Sequence, residues 1–277
     1  MRVGNLSGRL TIFTDGGAVD VEKASNGAFG PDPQAVYEVW SDFRAWAAQA
    51  SLTEARAFDA VDLGCPAPRP GQVFAVGLNY HSHAAEAGIA DPGTAPLVFT
   101  KFRSSFDNPI STVTLPEGDV DWETELVVVI GRAAHNVTDD GWSYVAGLAV
   151  GQDITERKAQ MAGAAPQFSL SKSFPGFSPF GPWLVTTDEV DDPDDVTLEC
   201  ILNGAVMQRE STRDMVFSVP GVIEYLSSIT PLSAGDVIFT GTPSGVALFR
   251  EPPPFLKAGD ELVSRIEGIG DLRQTFV

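Results

Sequence analysis

The chain is short of several things. Two cysteines, Cys65 and Cys200, stand in 277 residues. That is too few for a disulfide framework or a thiolate zinc site. Three histidines, at 81, 83 and 135, would all be needed for a three-histidine zinc centre, and two of them are only two positions apart. Basic residues are scarce, 18 against 37 acidic ones, for a net charge of -19. A surface that acidic repels nucleic acid and anionic membrane, so neither is expected as a partner. No apolar stretch approaches the roughly 18 residues of a membrane span. The N-terminus lacks the basic-then-apolar pattern of a signal sequence, and the expected location is the cytoplasm.

What remains is an ordinary globular composition, 43% apolar and 20% charged. Arg9 to Phe13 reads as a strand interrupted by Asp15-Gly16-Gly17. Pro33 to Ala50 carries Val36, Val39, Trp40, Phe43, Trp46 and Ala47 at helical spacing, a packing stripe. Cys65 to Gly71 holds prolines at 66, 68 and 70, a stiff connector, and the boundary between a small N-terminal α/β domain (1–70) and a larger catalytic domain (71–277) is placed there. Strand signals then dominate: Val73–Val76, Leu126–Ile130, Val145–Val150, Trp183–Thr186, Val196–Leu202, Val237–Thr240 and Glu261–Ile266. Helices are expected at Ser82–Ala87 and Val219–Ser228, whereas Met161–Leu170 is too interrupted to assign. Many short strands with few crossover helices predict a β-rich α+β fold.

Carboxylates supply the chemistry. In Asp121-Trp122-Glu123-Thr124-Glu125-Leu126, Glu123 and Glu125 enter a buried strand two positions apart and share a face. Unless they are simply solvated acids at a sheet edge, either one of them is protonated or a cation sits between them. Asp153 ends the apolar run Gly147–Gln152 and caps a helix or joins the same site. Three convergent carboxylates would suit Mg²⁺ or Mn²⁺. Lys172 lies among apolar neighbours, where it snorkels to solvent or, beside acids, stays charged and stabilises an oxyanion. Lys101 and Arg103 are candidates to attract an anionic substrate or simply pair at the surface. His83 and Glu86, three apart, form either a surface pair or an oriented general base. Thr240-Gly241-Thr242-Pro243-Ser244-Gly245 is a tight turn whose Thr242 can donate to a carboxylate, but it is no phosphate loop.

Taken in order, Gly77-Leu78-Asn79-Tyr80, His83-Ala84-Ala85-Glu86, Asp121 to Leu126, Asp153, Lys172-Ser173-Phe174, Gly181-Pro182-Trp183, Thr240 to Val246, Phe255 to Asp260 and Ile266 to Gly270 resemble the fumarylacetoacetate hydrolase family. The resemblance covers residues 72 to 277. It implies a mixed β-sandwich roll and usually a homodimer. It implies Mg²⁺ or Mn²⁺ on Glu123, Glu125 and Asp153, an active-site Lys172, a lid dyad of His83 and Glu86, and Thr242 on the substrate carboxylate. Arg157 and Gln160 match the family near the substrate. Gln152 stands where Asn is common, and Thr155-Glu156-Arg157-Lys158 stands where Ser-Ala-Arg-Asp is common. The implied activity is divalent-metal-dependent C–C hydrolysis of an acylpyruvate or β-diketo acid through an enolate, a reaction of aromatic catabolism. The same site would also serve an isomerase of 2-hydroxy-diene-dioates or an oxaloacetate decarboxylase. A metal-free binding protein is the alternative of another class.

Overall fold

The computed structural model describes all 277 residues. Its backbone is dominated by an 11-stranded mixed sheet and a five-stranded sheet, with a separate two-stranded ribbon of Val120–Asp121 and Thr155–Glu156. The main path of the large sheet runs Gly17–Asp20, Arg9–Thr14, Arg2–Leu6, Ser178–Val185, Val145–Gln152, Thr124–Ile130, Val237–Phe239, Val73–Gly77, Leu97–Thr100, with Leu63–Gly64 pairing beside Arg2–Leu6 and Phe106–Asp107 beside Ser178–Val185. The smaller sheet orders Ala205–Ser211, Thr197–Leu202, Glu261–Ile266, Gly270–Phe276 and Ile110–Val113. Both sheets are open, and the strand-dominated backbone with few helices matches the expected β-rich class.

The apolar run Leu126-Val127-Val128-Val129-Ile130 shows why. Successive strand residues face opposite sides. Leu126, Val128 and Ile130 enter a core shared with Leu198, Ile266 and Leu272 of the small sheet and with Val222, Ile223 and Leu226 of the helix Val219–Ile229. Val127 and Val129 enter a second core, with Phe239, Val36, Tyr37, Trp40 and Phe43. A strand covered on both faces has no polar alternation to display.

The aromatic stripe packs there as expected, with one difference. Val39 is 42% exposed. The segment opens as a 3-10 turn, Ala35–Val39, and becomes α-helical only at Trp40–Ala47. The tighter turn shifts the phase and rotates Val39 outward. The unassigned stretch Met161–Leu170 proves to run from the last residue of one short helix, Arg157–Met161, into another, Phe168–Ser171. Arg2–Leu6 pairs antiparallel with Ser178–Val185, so the large sheet continues across position 70. We retain residue 70 as a proposed boundary in the sequence between an N-terminal addition and the catalytic region.

The topology gathers the chemistry at one end of the large sheet. Thr124 is in register with Gln152, which puts the start of one strand, with Glu123 and Glu125, beside the end of the next, with Asp153. Val237–Phe239 runs antiparallel to Thr124–Ile130, so Gly241 and Thr242 emerge there too. Val73–Gly77 runs parallel to Val237–Phe239 and delivers Leu78, Asn79 and the short helix His81–Glu86 to the same end.

Leu148 is fully buried in the core between the sheets. Leu148→Ala is expected to cost about 2–5 kcal/mol in guanidinium denaturation. A loss below about 1 kcal/mol would contradict this packing.

Candidate active site

Backbone hydrogen bonds lock the carboxylates before any side chain acts. The Asp153 N–H donates to the Glu123 carbonyl at 2.9 Å. The Glu123 N–H donates to Gln152 Oε1 at 2.9 Å, while Gln152 Nε2 donates to Thr124 Oγ1 and Ser264 Oγ. Gln152 is thus a buried clamp on the site's backbone. The Gly241 N–H donates to Glu125 Oε2 at 2.9 Å. Gly241 has φ +100°, and a Cβ there would stand 2.7 Å from the Cβ of Asn79. The close approach this glycine permits is to Asn79. That side chain donates to the Phe217 and Thr240 carbonyls and accepts from the Phe217 N–H, which fixes the turn into the helix His81–Glu86. Leu78, beside it, adopts a left-handed φ of 55°, a strained choice for leucine of the kind that collects at functional sites.

Glu123, Glu125 and Asp153 converge with ligand atoms within 4.8 Å of one another, all buried. Lys172 Nζ donates to Glu123 Oε2 at 2.8 Å, Asp153 Oδ2 at 2.7 Å and Thr155 Oγ1 at 2.8 Å. Lys101 Nζ donates to Asp153 Oδ1 and to the carbonyls of Lys172 and Phe177. Arg157 reaches Asp121 Oδ2 through Nε at 2.9 Å and Nη2 at 2.8 Å, and Glu123 Oε1 at 2.7 Å, while Gln160 accepts from its Nη1. The acids are therefore neither solvated nor at an edge.

The charges do not balance. Asp121, Glu123, Glu125 and Asp153 face the cations Lys101, Lys172 and Arg157. Glu125 is left without an ion-pair partner. Burial raises the pKa of its carboxyl well above the ordinary range, and the neighbouring charges of Asp153 and Glu123 add to this. Burial also opposes ionisation of Glu123, but Lys172 and Arg157 outweigh it and bring that carboxyl down to about 2. Lys172, although desolvated, is held above its usual value by Asp153 and Glu123. Burial prevails at Lys101, whose pKa falls below the usual lysine value despite Asp153. The deficit at Glu125, in an all-oxygen cluster, is what a hard divalent cation would fill, so the residues fit Mg²⁺ or Mn²⁺.

The expected substrate contacts divide. Thr242, Arg157, Gln160, Lys172, His83 and Glu123 line one cavity of about 290 Å³. Thr242 lies there with its hydroxyl already engaged, donating to the Thr124 carbonyl and accepting from Gln208. Lys101 stands apart from the cavity wall. Its three N–H bonds are all taken inside the protein, and none is left for a ligand. Arg103 is exposed on the turn Arg103–Ser105 and lines a different surface cavity with Pro70 and Phe74. His83 Nδ1 lies 2.7 Å from Glu86 Oε1, and Glu86 Oε2 accepts from the Gly245 N–H at 2.9 Å. The pair is not a free surface contact, since His83 is 8% exposed.

Several contributors escape a reading by sequence. Thr155 fills the third donor position of Lys172. Glu156, an apparent departure from the family pattern, caps the helix Arg157–Met161 by accepting from the Lys158 and Ala159 N–H groups. Asp121 grips Arg157 and also accepts from the Ala247 and Leu248 N–H groups at 2.7 and 3.0 Å. Its motif placed it near the site, but its partners lie 36 and more positions away.

A raised Glu125 pKa means that a proton sits on this carboxyl in the metal-free protein well above the pH where a free glutamate loses it. A cation must expel that proton. Mn²⁺ affinity is therefore expected to rise with pH, and binding should release up to about one proton, seen as a buffer-dependent enthalpy in titration calorimetry. Glu125→Gln should weaken binding by at least about tenfold and abolish the release.

Known proteins bear on this site. Residues 72–277 match the family model described as fumarylacetoacetate (FAA) hydrolase C-terminal. The chain is 42% identical over 208 residues to the Bos taurus protein named oxaloacetate tautomerase FAHD2A, mitochondrial, covering 74% of this chain and 66% of that one. It thus spans just under two thirds of that relative's length. It superposes with TM-score 0.96 on an HpcE-like protein of Mycobacterium smegmatis, at 53% identity over 100% of this chain and 99% of that one. A maleylpyruvate hydrolase of Sphingobium sp. SYK-6, crystallised with manganese(II) and pyruvate, superposes with TM-score 0.79 at 27% identity, again over 100% and 99%. With the family match spanning residues 72 to 277 and the fold shared over its whole length, this chain belongs to the fumarylacetoacetate hydrolase family of enzymes.

Proposed function

We propose that the protein is a divalent-metal-dependent hydrolase that cleaves the C–C bond of an acylpyruvate. The observation that carries this reading is the His83–Glu86 pair on the wall of the cavity that Glu123 and Lys172 also line. Glu123, Glu125 and Asp153 would hold a divalent cation, which would supply Lewis-acid chemistry for a 2-oxo acid.

The chain's own residues do the rest. Glu86 takes the Nδ1 proton of His83 as a hydrogen bond, which leaves Nε2 as the basic nitrogen. Glu86 is itself held by the Gly245 N–H, so the ring cannot turn without losing its bond to a fixed carboxylate. His83 takes a proton from water as the water oxygen bonds to the distal carbonyl carbon. The bond between that carbon and the methylene then breaks. The distal fragment leaves as a carboxylic acid, and the methylene carbon of the departing pyruvate enolate takes the proton back. The Lys172 ammonium, firmly protonated, faces the negative charge that develops on oxygen. In the structure its N–H groups are shared with Glu123 and Asp153. A cation held by those same carboxylates would weaken these bonds and leave the ammonium, already on the cavity wall, with N–H groups for a ligand oxygen.

A second reading, tautomerisation of oxaloacetate, draws on the relative of that name. It needs the same base without a water. Isomerisation of a hydroxy-diene-dioate and decarboxylation are further outcomes of the same enolate chemistry. The reading also carries with it a homodimer and a cytoplasmic location. No helix is long and apolar enough to cross a membrane, and both cysteines are free and buried. Catalytic silence is disfavoured by the completeness of the ion cluster.

With Mn²⁺ present, acylpyruvates should be hydrolysed, and EDTA should abolish turnover. His83→Ala should lower kcat by at least about 10²-fold. Full activity after metal stripping, or an unaffected His83→Ala variant, would overturn the proposal. Faster enol–keto conversion of oxaloacetate than any hydrolysis would select the second reading.

A further inference from the structure

We propose that the cavity is built for a monoanionic ligand with an apolar tail, an acylpyruvate whose acyl group is aromatic or branched aliphatic, and not for a dicarboxylate. This deepens the hydrolytic reading and rests on it for the word acylpyruvate. The preference for an apolar tail stands on the wall itself.

The lysine and arginine side chains on that wall are Lys172 and Arg157. Both cations are already paired with carboxylates of the cluster. The rest of the wall is largely apolar, with Leu78, Phe99, Met161, Phe168, Leu248 and Phe249 as its larger members. A second carboxylate placed among them would lose its hydration and gain no partner. The adjacent cation in sequence, Arg250, does not compensate. Its guanidinium is turned to the carbonyls of Gly245 and Met207, and it does not line the cavity. The chain's net charge of -19 adds a long-range penalty for a dianion.

The apolar wall is also positioned. Phe99 stacks on Phe168 with centroids 5.5 Å apart, and Lys172 Nζ stands 5.4 Å over the Phe99 ring. Across the sequence, Asp121 holds the N–H groups of Ala247 and Leu248 with the same carboxylate that grips Arg157. The turn Ala247–Phe249 is thereby tied to the ion cluster. Phe249 meets the His83 ring edge-on at 6.2 Å. The acyl tail of a ligand beside His83 thus meets phenyl rings. Met161, Leu248 and Phe249 are 64%, 37% and 44% exposed. Apolar side chains left open at a cavity gain free energy when an apolar group covers them. The cavity of about 290 Å³ is at the small end of ligand pockets, enough for one ring or a short branched chain.

The test is calorimetric binding of phenylpyruvate and of 2-oxoglutarate to the Mn²⁺-loaded protein. The two share the 2-oxo acid head and differ in tail charge. Phenylpyruvate is expected to bind at least about tenfold tighter. Phe249→Arg, a change at an exposed position, should remove or invert that preference, while Phe249→Leu should keep it. Equal affinity, a preference for 2-oxoglutarate, no binding of either, or an unchanged preference in Phe249→Arg would each overturn the inference. Hydrolysis of benzoylpyruvate and fumarylpyruvate is then compared. Tight phenylpyruvate binding with neither compound cleaved would sink the hydrolytic reading and leave the tail preference standing.

Discussion

One unbalanced charge organises this molecule. Four buried carboxylates meet three buried cations, and the surplus settles on Glu125, which has a single backbone N–H for a partner. Burying carboxylates is costly, and an unpaired one more so. The surrounding strands hold it there anyway, because the strand Thr124–Ile130 is anchored in apolar cores on both faces. The fold thus supports an electrostatic debt at the sheet's end that a divalent cation offsets. The paired charges beside it behave differently: Lys172 is held protonated by Asp153 and Glu123, and Glu123 is kept ionised by Lys172 and Arg157.

The two lysines illustrate how similar residues are given different tasks. Lys172 lines the cavity and shares its protons with the carboxylates that would hold a cation. Lys101 is bound by Asp153 and two backbone carbonyls, away from the cavity. The first is placed to respond to a ligand; the second holds Asp153 in place. Asp121 plays a comparable supporting part for Arg157, and through the N–H groups of Ala247 and Leu248 it joins the ion cluster to the apolar wall. Polar head and apolar tail of a ligand would therefore be recognised by parts of one connected framework.

The amino-acid sequence by itself determined the β-rich class and the apolar strands that form the cores, while leaving shorter strands such as Arg2–Leu6 and Gly270–Phe276 unread. Period-two spacing puts Glu123 and Glu125 on one face, and unbroken apolar runs such as Leu126–Ile130 demand cover on both sides. His83 and Glu86 were legible for the same local reason, since three positions on a helix bring side chains together. Lys101 and Arg103 were not. Their fates depend on which strands neighbour one another, and nothing within reach of either residue in the chain signals it.

The tertiary structure alone decided which charges meet. Arg157 finds Asp121 and Glu123, Lys172 finds Thr155, and the turn at Ala247–Phe249 finds His83, only because antiparallel and parallel pairings deliver distant strand ends to one edge of the sheet. Val39 turned outward for a subtler cause, a 3-10 turn that breaks the phase of an otherwise regular helical stripe. Local periodicity governs which face a side chain takes. Long-range register governs what it faces, and electrostatic balance, summed over residues from 101 to 172, exists only once that register is set.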